Sequence, residues 1–78
     1  MYIEQLADIL EKNRVPKDMY DLGGGLPSEA YCIGFFDGRW EVYYSERGQR
    51  SEIGSFDDEE DACECLLNEL KRYVRIVR

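Results

Sequence analysis

Residues 30–45 read AYCIGFFDGRWEVYYS. Tyr31, Ile33 and Phe35 alternate with Cys32, Gly34 and Phe36, the period of two that marks an extended strand with two unlike faces. Asp37-Gly38 follows, a dipeptide favoured in two-residue type I′ hairpin turns. A two-residue loop there pairs Phe36 with Arg39, and hence Phe35 with Trp40, Ile33 with Val42 and Tyr31 with Tyr44. One face of this hairpin is then apolar or aromatic throughout. The other carries Cys32, Gly34, Phe36, Arg39, Glu41, Tyr43 and Ser45. That asymmetry predicts an antiparallel sheet buried on its Trp40 side.

The flanking segments extend this unit. Arg47-Gly48 offers a second two-residue turn, which sets Tyr44 opposite Ser51 and Val42 opposite Ile53 and puts Ile53 on the core face. The expected result is a three-stranded antiparallel meander over residues 30–56. Asp57, with Glu60 three residues on, has the spacing of a capping box and should open a helix. Along it Ala62, Leu66, Leu70 and Tyr73 form one stripe, widened by Cys63, Leu67 and Val74. At the other end of the chain, Ile3, Leu6, Ala7 and Leu10 keep the i, i+3, i+4, i+7 spacing of an amphipathic helix over residues 2–13, which Pro16 keeps from continuing. The fold class is therefore α+β, in the order α-β-β-β-α, with both helices packed on one sheet face. Residues 1–78 make a single domain.

Between the first helix and the sheet lies an irregular connector containing Gly23-Gly24-Gly25. A phosphate-binding loop needs a strand before it, a helix N-terminus after it and usually a lysine. Here a strand follows and no lysine stands within the next ten residues. A flexible turn, or a place where a partner's backbone approaches closely, fits the three glycines better.

The chain has 17 acidic and 10 basic residues, no histidine, and a formal net charge of −7. Such a surface repels phosphate backbones and anionic lipid, so neither nucleic acid nor a membrane is the expected partner. With 44% hydrophobic and 13% aromatic residues, it can still build one core. Met1 leads directly into the amphipathic run, without a basic start or a long apolar stretch, and a cytoplasmic location is expected. The three cysteines, Cys32, Cys63 and Cys65, are then reduced. Cys63-x-Cys65 is not a redox spacing, and on a helix the two side chains diverge, so buried or half-buried structural thiols are expected.

No catalytic, cofactor-binding or metal-binding residue is assigned, and no cofactor is expected. Without histidine the commonest general base and metal ligand is missing. Cys32 has no adjacent base to activate it. The functional candidates are surfaces. One is the acid run Asp57, Asp58, Glu59, Glu60, Asp61 and Glu64, of which helix capping accounts for about half. The remainder suits an electrostatic landing site for a basic protein. A second is the outer sheet face, where Arg39, Glu41, Tyr43 and Glu52 are the expected partner contacts, beside Phe36, Arg50 and Phe56. Tyr, Phe and Arg are enriched at interfaces. The plainer reading of the same residues is cross-strand pairing of Arg39 or Arg50 with a carboxylate.

The run of residues 22–33, LGGGLPSEAYCI, then WEVYYSERG at residues 40–48, then Phe56 ahead of an acidic helix start with Ala62-Cys63, resembles small bacterial immunity proteins. These belong to contact-dependent growth inhibition and related polymorphic-toxin systems. The resemblance covers residues 15–70. It implies a cytoplasmic antitoxin, not an enzyme, that binds one cognate toxin domain and neutralises it by stoichiometric, non-catalytic inhibition. The toxin would be basic, and a nuclease is the implied class. No contact residue is carried over from the resemblance. The competing reading is a general interaction or regulatory module, including a homodimer formed through the outer sheet face, unrelated to toxins.

Overall fold

The computed structural model describes all 78 residues. The central hairpin forms in the expected register: β2 (Glu29–Phe36) and β3 (Arg39–Glu46) pair antiparallel with Phe35 opposite Trp40, Ile33 opposite Val42 and Tyr31 opposite Tyr44, following the two-residue strand β1 (Tyr20–Asp21). Asp37 and Gly38 both take positive φ, 50° and 82°, as a type I′ turn requires. Arg47 and Gly48 repeat that geometry and lead into β4 (Gln49–Phe56).

Two departures from the expected sheet have identifiable causes. β4 pairs with β3 through a bulge between Val42 and Tyr43. Tyr44 does face Ser51, but Val42 faces Gly54, and Ile53 is left without a partner and 38% exposed. The extra residue shifts the strand's phase. Phe56 thereby lands opposite Trp40 and packs on the core instead of the outer face. The sheet is also not a three-stranded meander. β1 adds to β2 in parallel, with Tyr20 opposite Tyr31 and Asp21 opposite Cys32, making a four-stranded mixed sheet in the order β1-β2-β3-β4.

Helix α1 (Ile3–Lys12) ends in a Schellman motif. The Val15 N–H donates to the Leu10 carbonyl and the Arg14 N–H to the Glu11 carbonyl, both at 3.0 Å, with Arg14 at φ 55° in the left-handed region. Helix α2 (Glu59–Leu70) lies across β2, β3 and β4, and α1 packs against α2. Leu6, Leu10, Ile33, Val42, Leu66, Leu67 and Leu70 are fully buried in one cluster. Each such side chain contributes about 1.5–3 kcal/mol relative to exposure. The helices therefore cover the Trp40 side of the sheet.

α2 starts one residue later and ends earlier than its stripe suggests. Asp58 is the N-cap residue and its side chain makes no capping hydrogen bond; the expected Asp57–Glu60 capping box is replaced by pairing of Asp57 with Arg39 and of Glu60 with the Met1 amine. Beyond Leu70 the backbone tightens, with Tyr73 and Val74 N–H groups both donating to the Leu70 carbonyl. Tyr73 is thus off the helical stripe and 56% exposed. The tail returns to the core at Ile76. The Asn13 amide then clasps the Val77 backbone by two hydrogen bonds of 2.8 Å each.

The outer sheet face is also covered, by residues 22–28. This connector crosses over β2 as it carries the chain from β1 to the parallel strand β2. A Cβ on Gly34 would lie 2.7 Å from the Gly24 Cα, so the two glycines let backbone rest directly on backbone. The Gly24 N–H donates to the Ile33 carbonyl at 3.0 Å. Tyr43 Oη donates to the Gly25 carbonyl at 2.7 Å and Ser45 Oγ to the Pro27 carbonyl at 2.6 Å. Asp21 Oδ1 accepts from the Gly23 and Gly25 N–H groups. The close approach at the triple glycine is made by the chain's own strand and not, as expected, by a partner's backbone.

Candidate functional site

Most of the expected contact residues are occupied inside the fold. Tyr43 is fully buried beneath the glycine connector and is withdrawn as a surface contact. A small satellite core of Ala30, Cys32 and Tyr43 forms there, with Phe36 packed against it. Glu41 pairs with Arg50, whose guanidinium lies 4.1 Å from the Tyr43 ring centroid and 4.7 Å from that of Phe36. Arg39 donates to Ser55 Oγ at 2.8 Å and pairs with Asp57 at 2.6 Å. The cross-strand reading of Arg39 and Arg50 therefore accounts for both. Glu52, opposite Tyr43 on β4, is exposed and makes no ion pair.

The acid run resolves in the same way. Glu59 Oε2 accepts the Ile3 N–H at 2.8 Å, so the first turn of α2 caps the N-terminus of α1. Glu60 lies 3.6 Å from the Met1 amine and Glu64 pairs with Arg78. Asp57, Glu59, Glu60 and Glu64 thus each meet a cation or an N–H donor of the chain. Asp58 and Asp61 face solvent without one. Two helix N-termini meet here, and their combined partial positive charge explains more of the run than a single cap could.

The thiols are held as structural groups. Burial, with Asp21 nearby, pushes the Cys32 thiol up to about 11, and burial pushes Cys63 up to about 11 as well. Cys65 is raised for the same reason. All three are free and protonated at neutral pH, which removes the thiolate that nucleophilic chemistry needs. No helix of the chain is long and apolar enough to cross a membrane.

An open concavity lies where the strands run past the end of the helical cover. It is a cleft of about 350 Å³ lined by Met19, Glu29, Ala30, Tyr31, Tyr44 and Tyr73. Met19 comes from the short 3-10 turn Lys17–Met19, and Tyr73 from the turn after α2. Tyr31 is the hub: Tyr44 tilts against it at 54° with centroids 4.8 Å apart, and Tyr73 stacks on it at 26° and 5.5 Å. Burial, then the Tyr73 side chain and the charges of Glu69, raise the Tyr31 phenol above its ordinary range. Burial, then Glu29 and Glu46, do the same for Tyr44.

The cleft has an acidic edge. Glu29 and Glu46 are direct cross-strand partners, a like-charge pair at the open end of the β2–β3 ladder. Such pairs are destabilising when nothing lies between them. Both are exposed, and neither forms an ion pair within the chain, whereas Lys12, Arg39, Arg50, Arg72 and Arg78 are each held by a carboxylate. Glu69 also lies near, but Arg72 pairs with it at 3.2 Å and stands 5.9 Å from the Tyr73 centroid.

Tyr31 facing Tyr44 was legible from the hairpin register. Tyr73 was not, because its spacing fits the α2 stripe and only the early end of the helix frees it. Glu46 drew no notice, although the same register places it opposite Glu29. No protein-family model, curated protein or solved structure matches the chain.

Proposed function

We propose that this chain is a non-catalytic binding protein that captures a basic protein. In the more specific form drawn from the sequence resemblance, it is a cytoplasmic immunity protein that neutralises a cognate toxin domain, a nuclease being the implied class. The observation that carries the binding reading is the unneutralised Glu29–Glu46 pair beside an open tyrosine cleft, on a chain of net charge −7. A partner that supplies positive charge there meets two carboxylates that no cation of the chain engages. An acidic inhibitor can also cover the surface with which a nuclease would meet phosphates. The partner surface expected from this reading differs from the outer sheet face, where Arg39, Glu41 and Tyr43 already have partners of their own.

The test is co-purification with a basic toxin domain encoded beside this chain, followed by toxin activity measured with and without it. A one-to-one complex and loss of activity at equimolar protein are expected. The association rate should fall as salt rises, since the Debye length shrinks from about 10 Å at 0.1 M to about 3 Å at 1 M. Absence of a complex at micromolar protein and low salt overturns the toxin-neutralising reading. Failure to bind any basic protein domain under those conditions overturns the binding reading itself.

A further inference from the structure

We propose that the tyrosine cleft is a receptor for one arginine side chain of a protein partner, seated against Tyr31, Tyr44 and Tyr73 with its guanidinium between Glu29 and Glu46. The inference rests on the reading that the chain captures a basic protein, and it narrows that reading to one contact.

Three features of the cleft select this occupant. Its walls are aromatic rings, whose negative faces attract a cation and whose planes accept a flat one. The guanidinium is planar, weakly hydrated and able to stack, whereas an ammonium is a compact and strongly hydrated point charge. Glu29 lines the cleft and Glu46 is its cross-strand partner, and a guanidinium has donors enough to bond both carboxylates.

The molecule builds the same arrangement once from its own residues. On the outer face Arg50 lies over two aromatic rings, Tyr43 at 4.1 Å and Phe36 at 4.7 Å, and pairs with the carboxylate of Glu41. The cleft repeats the aromatic and acidic elements of that site, with Tyr31, Tyr44 and Tyr73 in place of the two rings and Glu29 and Glu46 in place of Glu41. No cation of the chain pairs with these two carboxylates. Arg72 sits on the far rim, 5.9 Å from the Tyr73 centroid and tied to Glu69. The cationic element is thus left to a partner. Arginine is among the residues that most often anchor protein interfaces.

The test uses the full chain labelled with 15N and titrated with N-acetyl-arginine amide, its neutral citrulline counterpart and N-acetyl-lysine amide. Saturable shifts confined to Glu29, Tyr31, Tyr44, Tyr73 and their neighbours are expected, with arginine binding in the millimolar range. Citrulline should bind at least about tenfold more weakly, and lysine more weakly than arginine. Tyr73→Ala and the double variant Glu29→Gln, Glu46→Gln should each weaken arginine binding by about fivefold or more, with the remaining resonances unmoved. Absence of saturable shifts, shifts centred elsewhere, or equal binding of citrulline overturns the proposal, and tighter binding of lysine overturns the choice of arginine. Arginine in the cleft without capture of any basic protein domain would leave the receptor standing and remove the functional reading. A complex undiminished in Tyr73→Ala and in the double glutamine variant would do the reverse.

Discussion

The two faces of the sheet are covered by different means. On one, α2 presses Ala62, Cys63, Leu66, Leu67 and Leu70 against Ile33, Val42 and their neighbours, with α1 packed behind. That layer is held by side-chain volume and by apolar area withdrawn from water. On the other, residues 22–28 cover the strands chiefly with backbone. That layer is held by hydrogen bonds from Tyr43 and Ser45, by the Asp21 carboxylate, and by glycines where a Cβ would collide. The first kind of cover tolerates small changes in side-chain shape. The second depends on a few atoms at fixed distances, so a single methyl group can lift it.

The largest expected effect lies on the helical face. Leu66→Ala should cost about 3 kcal/mol in urea unfolding, as deletion of a fully buried leucine does. With a margin typical of small domains, the variant would be partly unfolded at room temperature. A cost under 1 kcal/mol would show that the helical layer is not the principal core.

Next is Gly34→Ala, for which about 2 kcal/mol is expected, because the added methyl meets both the Gly24 backbone and the Phe36 ring. This variant also separates the two layers. If the connector lifts as a unit, the Cys32 thiol should become reactive to a disulfide reagent while Cys63, on the buried face of α2, stays protected. Equal protection of both thiols would mean that the connector does not open independently.

Tyr43→Phe removes the hydroxyl that donates to the Gly25 carbonyl and should cost about 1 kcal/mol, with faster hydrogen exchange confined to residues 22–28. An exchange change spread over the whole sheet would count against a separately held outer layer.

The last effect is alkaline. Burial pushes the Cys32 thiol from 9.0 to about 11 and the Tyr43 phenol from 10.0 to about 12, so the folded chain keeps these protons after the unfolded chain has released them. Both groups contribute in full below their unfolded values, and that contribution is lost as pH rises through the folded ones. Stability should therefore decline across about pH 9 to 12. Tyr43→Phe should flatten the upper part of the decline, which urea midpoints measured at successive pH values would reveal. Cys63, raised in the same way on the buried face of α2, should keep the lower part in place.

Much of the architecture was readable because its signals are local. The hairpin register follows from Asp37-Gly38 and the alternation on either side of it. The buried stripes of both helices follow from i, i+3, i+4 spacing, and the turn at Arg47-Gly48 from its glycine. The bulge was not readable, since Ile53 alternates correctly and nothing nearby announces an extra residue. β1 was missed because two residues make no periodic pattern. The candidate site was legible only in part. Tyr31 and Tyr44 are register partners, but the expected contacts Arg39, Glu41, Tyr43, Asp57, Glu59, Glu60 and Glu64 are engaged within the chain. Their partners lie up to 59 residues away, as with Glu60 and Met1.

Sequence alone set the two apolar faces and the hairpin pairing, which depend on neighbours within a few residues, and the charge of −7 and the absence of a histidine for acid–base work, which are composition. Tertiary packing settled which charges are satisfied and which are left over. Helix capping across elements, the end of α2 at Leu70 and the crossing of the glycine connector all depend on segments far apart in the chain. Through them the acid run is largely neutralised, Tyr43 is buried and Tyr73 is freed to stack on Tyr31. The unpaired carboxylates Glu29 and Glu46 then stand beside the one open aromatic cleft.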